Sequence, residues 1–258
     1  MDDIQNQRDE RGIKIQQTGI TDVWLPLLID NQNVQANVRF TVSLRHDLRG
    51  THMSRLMEIL TDWTNKPLDL PAVHSILTEA RDKLDTDSAN IHINFKYFIE
   101  CTAPVSKKKS LLDIDCVFSG ELNNNSESFT LSVQVPFTSL CPCSKAISDF
   151  GAHNQRSFCK VVLKFDNIDK IISINELTEL IQSQSSSPVY SILKREDEKF
   201  VTEAAYQNAK FVEDILRDVV AAVRKICGIN YFSVECINFE SIHNHNAFAR
   251  HEEFIIDK

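Results

Sequence analysis

The sequence predicts an α+β fold made of two similar units, each an antiparallel sheet with paired helices on one face. Three observations carry that expectation. Several runs of strand length alternate apolar and polar residues, other runs repeat apolar residues at helical spacing, and the order strand, helix, helix, strand, strand of the first half returns in related form in the second. At 258 residues, with 42% hydrophobic and 25% charged, the chain has ample material for one large domain or two smaller ones.

Residues 1–20 are polar and read as a poorly packed arm. The first unit, 21–125, opens with a strand over 34–48, where Val34, Ala36, Val38, Phe40, Val42 and Leu44 alternate with polar neighbours. A helix over 52–63 gathers Met53, Leu56, Met57, Leu60 and Trp63 on one face. A second, 71–84, starts at Pro71 and aligns Val73, Ile76, Leu77, Ala80 and Leu84. Strands over 91–102 and 110–122 follow, ending at the polar turn after Leu122.

The second unit, 126–258, reads as a strand over 128–136, a cysteine-bearing segment, a strand over 157–165 and a helix over 173–182. After a serine-rich loop come one long helix over 201–227 and a strand over 229–239. Ser173 with Glu176 has the form of a capping box, and Gly228 suits a helix C-terminus.

The net charge of −8 argues against a nucleic-acid partner, whose affinity rests on Lys and Arg neutralising phosphates. No apolar run reaches membrane-spanning length, and the polar, acidic N-terminus is unlike a signal peptide, so a cytoplasmic protein is expected. Seven cysteines without a framework pattern read as free thiols. Five of them, Cys101, Cys116, Cys159, Cys227 and Cys236, lie in apolar runs and are expected to be buried.

The chemistry-bearing stretch is Cys141-Pro142-Cys143 with His153 beyond it. One intervening residue is too few for the usual redox or zinc-knuckle spacing, so only one thiol is suited to hold a metal and further ligands must come from elsewhere. The chain offers His153, the charge run from Lys194 to Lys199, and the pair His243 and His245. Each has a plainer reading: thiols at a turn, a solvated helix start, histidines in a loop.

In combination these segments are specific. The runs 136–148 and 151–157, together with Leu193–Glu203, Phe211–Asp214, Ser241–His245 and Gly50–Arg55, closely resemble the prokaryotic type IB GTP cyclohydrolase I family, from about residue 10 onward. The resemblance implies a tunnelling fold of two tandem modules, assembled into a homotetramer whose sheets form barrels and whose active sites lie between subunits. It implies conversion of GTP and water to 7,8-dihydroneopterin triphosphate and formate, the first step of tetrahydrofolate-type pterin biosynthesis.

The same resemblance implies one divalent metal per site, zinc first with manganese or iron admitted, on Cys141, His153 and Glu198. Cys143 would assist near the reacting atom. Water adds to guanine C8, and a bound metal can bring the pKa of water down to about 7. His243 and His245, two residues apart and on one side of an extended segment, suit the proton transfers of ring opening and formamide hydrolysis.

By resemblance Glu213 anchors guanine, since a carboxylate accepts from N1–H and the 2-amino group together. An ion pair with Arg217 is the alternative. Cations for the triphosphate are sought at Lys107 and its neighbours and at the helix start Thr51, His52 and Arg55; a solubilising loop and an ordinary cap are the other readings. Competing functions are a purine or pterin deaminase, whose Pro-Cys-x-x-Cys signature the chain lacks, an NADPH-dependent nitrile reductase using a cysteine nucleophile, and a purely structural metal protein.

Overall fold

The computed structural model describes residues 3–165 and 171–255. Met1 and Asp2 of the expected arm therefore lie outside the described residues. The described strands, β1 (Ile15–Ile29), β2 (Gln32–Leu44), β3 (Ser88–Thr102), β4 (Lys109–Asn123), β5 (Glu127–Leu140), β6 (Asn154–Phe165), β7 (Ser187–Pro188), β8 (Ile229–Asn238) and β9 (Ala247–Phe254), follow the order β1-β2-β3-β4-β5-β6-β8-β9, with β7 on β5. Two compact units divide the chain: Met1–Lys96, Cys116–Leu131 and Lys164–Asp169 form the first, and Tyr97–Asp115, Ser132–Leu163 and Lys170–Lys258 the second. The units interleave along the sequence because each long strand from β3 to β6 contributes residues to both.

In the first unit β1 (Ile15–Ile29) pairs antiparallel with β2 (Gln32–Leu44), and β2 with β3 (Ser88–Thr102). The alternation that predicted β2 places Val34, Ala36, Val38, Phe40 and Val42 in the core. Helix α1 (Met53–Trp63) contributes Leu56, Ile59 and Leu60, and α2 (Leu70–Leu84) contributes Val73, Ile76, Leu77 and Ala80. Each Val, Leu or Ile among them stabilises by roughly 1.5–3 kcal/mol when fully buried. Asp69 caps α2 by accepting from the Ala72 N–H at 2.8 Å.

Most of residues 3–14 of the expected arm are exposed, while its last part is better ordered than expected. Residues 15–20 are strand, and the preceding residues are tied to the turn before α1, with Gly50 N–H donating to the Gln5 carbonyl at 3.1 Å. Gly19 is opposite Thr41, and a Cβ there would meet the Phe40 carbonyl oxygen at 2.1 Å, so only glycine lets the two strands approach.

In the second unit β5 (Glu127–Leu140) leads into the short α3 (Pro142–Ile147), and β6 (Asn154–Phe165) follows. Helix α4 (Ile174–Ser183) starts with the expected capping box: Glu176 N–H donates to Ser173 Oγ at 3.1 Å, and Ser173 N–H to Glu176 Oε2 at 2.9 Å. The two-residue β7 (Ser187–Pro188) pairs with β5. The expected long helix is two, α5 (Arg195–Gln207) and α6 (Val212–Val223), and the break is anchored where Lys210 N–H donates to the Leu140 carbonyl at 3.1 Å.

Strand β8 (Ile229–Asn238) pairs antiparallel with β9 (Ala247–Phe254), which the sequence reading missed. Ile215, Val219 and Val223 of α6 are buried in this unit, as are Phe232, Val234 and Cys236 of β8. Because α6 stops at Val223, Cys227 is exposed and not buried, while Cys101, Cys116, Cys159 and Cys236 are buried as expected. Gly228, at φ 81, opens β8 rather than closing a helix.

Candidate active site

In the second unit, strand ends and helix starts collect the reactive side chains. Cys141 follows β5 directly and is the N-cap of α3, where its Sγ accepts from the Ser144 N–H at 3.4 Å. Its own N–H donates to the His153 carbonyl at 3.1 Å, and His153 N–H donates to Ser144 Oγ at 3.2 Å. The two ends of the loop are thus stitched together, which holds Cys141 and His153 side by side. Cys143, one turn position on, is exposed.

The His153 ring is held from two sides. Nδ1 lies 2.8 Å from Oε1 of Gln155, a buried residue, and 3.7 Å from Oε2 of Glu240. With Nδ1–H donating to Gln155, the Nε2 lone pair is left for a ligand. The His243 ring stands edge-on to His153 at 6.5 Å between centroids, and His245 stacks on His243 at 5.1 Å. These two histidines lie in a turn and not in an extended segment, yet the turn brings both rings to one side.

Glu198 and Glu213 are exposed, in the first turns of α5 and α6. Arg217 pairs with Asp214 at 3.2 Å, so the alternative ion pair for Glu213 does not form. Asp214 also accepts from the Phe211 N–H at 3.1 Å, which fixes the start of α6 and leaves Glu213 facing outward. Lys107 is in a loop with φ 57, and its Nζ donates to the Pro104 carbonyl at 2.7 Å.

Asp197 departs from the solvated charge run expected there. It is fully buried and accepts from Val105 N–H and Ser106 N–H at 2.8 Å each, from Ser106 Oγ, and from Lys194 N–H at 2.9 Å. Burial acts to raise its pKa, and the hydrogen bonds from Ser106, Lys194 and Val105 outweigh it, holding the carboxyl well below the usual range. The loop carrying Lys107 is thereby fixed to the helix start carrying Glu198.

A depressed folded-state pKa gives stability that is complete above the ordinary carboxylate pKa of about 4 and lost as pH falls below it. Asp197→Asn is expected to lower Tm at pH 7, with the gap to wild type narrowing as thermal unfolding is followed down to about pH 3.

Thr51, His52 and Arg55 belong to the first unit. They line a cavity of about 310 Å³ together with Asn6, Arg45 and Lys83, and Arg55 Nη1 donates to the Lys83 carbonyl at 2.9 Å. His52 Nε2 lies 3.4 Å from Asp3.

Cys141 and His153 suit a borderline divalent metal, one a sulfur donor and the other an imidazole with its second nitrogen already hydrogen-bonded. Among the described residues of the single chain, no group of three His, Cys, Asp or Glu side chains is close enough to hold an ion. Glu198 is therefore not drawn into a set with the other two. Sequence reasoning did not find Gln155 and Glu240. Gln155 is two residues after His153, a spacing that could have flagged it, whereas nothing in the sequence points from Glu240 to His153.

The family described as "Type I GTP cyclohydrolase folE2" matches residues 1–249. A "GTP cyclohydrolase FolE2" of Geobacter sulfurreducens is 46% identical over 258 residues, covering 98% of this chain and 98% of that one. One of Dictyoglomus turgidum is 45% identical over 265 residues, covering 100% of both. Among solved structures, the uricase of Arthrobacter globiformis matches with a TM-score of 0.59 at 6% identity over 94% of each chain, a likeness of fold alone and that of the tunnelling fold.

Proposed function

The chain belongs to the type I GTP cyclohydrolase FolE2 family, and from that premise we propose how its residues divide the work of a type IB enzyme. It is a GTP cyclohydrolase of folate biosynthesis, taking GTP and water to 7,8-dihydroneopterin triphosphate and formate. The observation that carries the residue assignment is the gathering of Cys141, His153, His243 and His245 at adjoining strand ends of one unit.

Cys141 and His153, side by side in this chain, are the residues that would hold a divalent metal, zinc first and manganese or iron admitted, with Glu198 the third ligand that the family resemblance implies. Such a metal supplies Lewis acidity and water of lowered pKa. His243 and His245 exchange protons with the purine, donating to the imidazole nitrogen released as the ring opens and serving the hydrolysis of the formamide. Stacked rings allow a proton taken by one to be balanced by the other. Cys143 stands in the same loop as Cys141 and assists at the reacting carbon.

Glu213 accepts from N1–H and the 2-amino group of guanine. Its exposure and lack of a partner among the described residues support this, because the carboxylate is already oriented by the α6 start and has no pair to break. Lys107 and the Thr51, His52 and Arg55 cluster supply cationic and N–H contacts for the triphosphate.

The active unit is a homotetramer with sites between subunits. Phe150 is wholly exposed, Ile147 is 85% and Ile242 65% exposed beside the site, an apolar rim that a second copy would cover. No helix among the described residues is long and apolar enough to cross a membrane. No disulfide joins any of the seven cysteines, which supports a cytoplasmic setting.

The anchor assignment is tested with inosine triphosphate, which lacks the 2-amino group. Wild type is expected to favour GTP, and Glu213→Gln to lose about 10- to 100-fold in kcat/KM for GTP, the size of one charge-assisted hydrogen bond. The variant should discriminate less between the two nucleotides. Unchanged discrimination would remove Glu213 from guanine recognition.

A further inference from the structure

Three segments that supply the site set out from one buried polar knot. Ser139, 1% exposed, immediately precedes the Leu140–Cys141 step; its Oγ donates to the Lys210 carbonyl at 3.1 Å and accepts from Asn238 Nδ2 at 3.0 Å. Lys210 is three residues before Glu213. Its N–H donates to the Leu140 carbonyl, and its Nζ reaches the Gln184 carbonyl at 2.8 Å and Asp218 at 2.9 Å. Asn238, 2% exposed, ends β8, and Glu240, His243 and His245 follow it.

The knot works against stability at one point. Asn238 Oδ1 is buried without a hydrogen-bond partner among the described residues, which a well-packed apolar residue at that strand end would avoid. A buried polar group that breaks this rule and joins three functional segments is explained by position, since polar networks fix one arrangement where apolar packing tolerates several.

We propose that Ser139 and Asn238 are positioning residues of the cyclohydrolase reaction. They hold the Cys141 segment, the start of the helix bearing Glu213 and the turn bearing His243 and His245 in one fixed arrangement. The proposal rests on the residue roles given under Proposed function. Neither residue touches substrate; each acts through the segment it anchors. Asn238 governs the histidine turn, so its loss falls on kcat. Ser139 also governs Lys210, so its loss falls on kcat and on KM.

The test is steady-state turnover of GTP by Asn238→Ala, Ser139→Ala and the double variant, each well below its own Tm and with metal content checked. Asn238→Ala is expected to lower kcat about 10- to 100-fold, the cost of a small misplacement of reacting groups, with KM little changed. Ser139→Ala should lower kcat and raise KM, and the double variant should lose less than the product of the two single losses, because the residues act as a unit.

Should an alanine variant not fold, Asn238→Ser takes its place with the same expected split. A lowered Tm with kcat unchanged, or losses that simply multiply, overturns the proposal. A wild type that makes no product from GTP overturns the functional reading and the proposal with it, whereas an active wild type beside unimpaired variants overturns the positioning role alone.

Discussion

Replacing Cys141 by alanine is expected to abolish product formation and to strip the enzyme of tightly bound divalent metal, while leaving most of the fold in place. The thiol is half-exposed at a helix start, where its Sγ accepts from the Ser144 N–H at 3.4 Å. Its loss therefore costs about one helix cap, roughly 0.5–2 kcal/mol, well short of unfolding a domain of ordinary stability. Metal analysis, circular dichroism and a GTP turnover assay on one preparation check all three parts. A variant that unfolds on losing metal would instead indicate a structural ion, because such an ion contributes its binding energy to folding.

His243→Ala and His245→Ala are each expected to lower kcat by about 10²–10⁴-fold, the usual worth of a positioned proton donor or acceptor, with metal content unchanged. Both rings are exposed in a turn, so neither substitution should move Tm appreciably. The rings stack at 5.1 Å, and on the proposed division of roles they share the proton work, so the double variant should fall less than the product of the single losses. Single-turnover experiments on formate release and on pterin closure would separate the steps each histidine serves. Retention of full kcat by both single variants would return them to the status of loop residues.

Much of the fold is legible in the sequence. The alternation from Val34 to Leu44 and the helical spacing of Leu56, Leu60, Val73 and Leu77 correspond to buried faces, because period alone decides which side chains leave water. Residues 15–22 carry no such alternation; they are strand because β2 offers an unpaired edge and Gly19 permits close approach, information held in the partner rather than the segment. The break between α5 and α6 was hidden for a similar reason. The apolar spacing runs on across it, and the chain is redirected by Lys210 binding the end of β5, a contact between residues 70 positions apart.

The site itself was readable as residue types, and its arrangement was not. Cys141, His153, His243 and His245 were identifiable as candidates, but that His153 faces Glu240 depends on where β8 ends beside β6. Asp197 was the clearest failure of local reading. Within a run of charged residues it looks solvated, and only the loop at Val105 and Ser106, about ninety residues earlier, makes it a buried acceptor.

The most direct measurement is the incubation of GTP with purified enzyme loaded in turn with zinc, manganese and iron, following the fluorescence of the oxidised pterin and the release of formate. The expected result is one formate for each 7,8-dihydroneopterin triphosphate, with at least one metal, and none from Cys141→Ala or from metal-stripped enzyme. Intact GTP after incubation with every metal-loaded form would contradict the account.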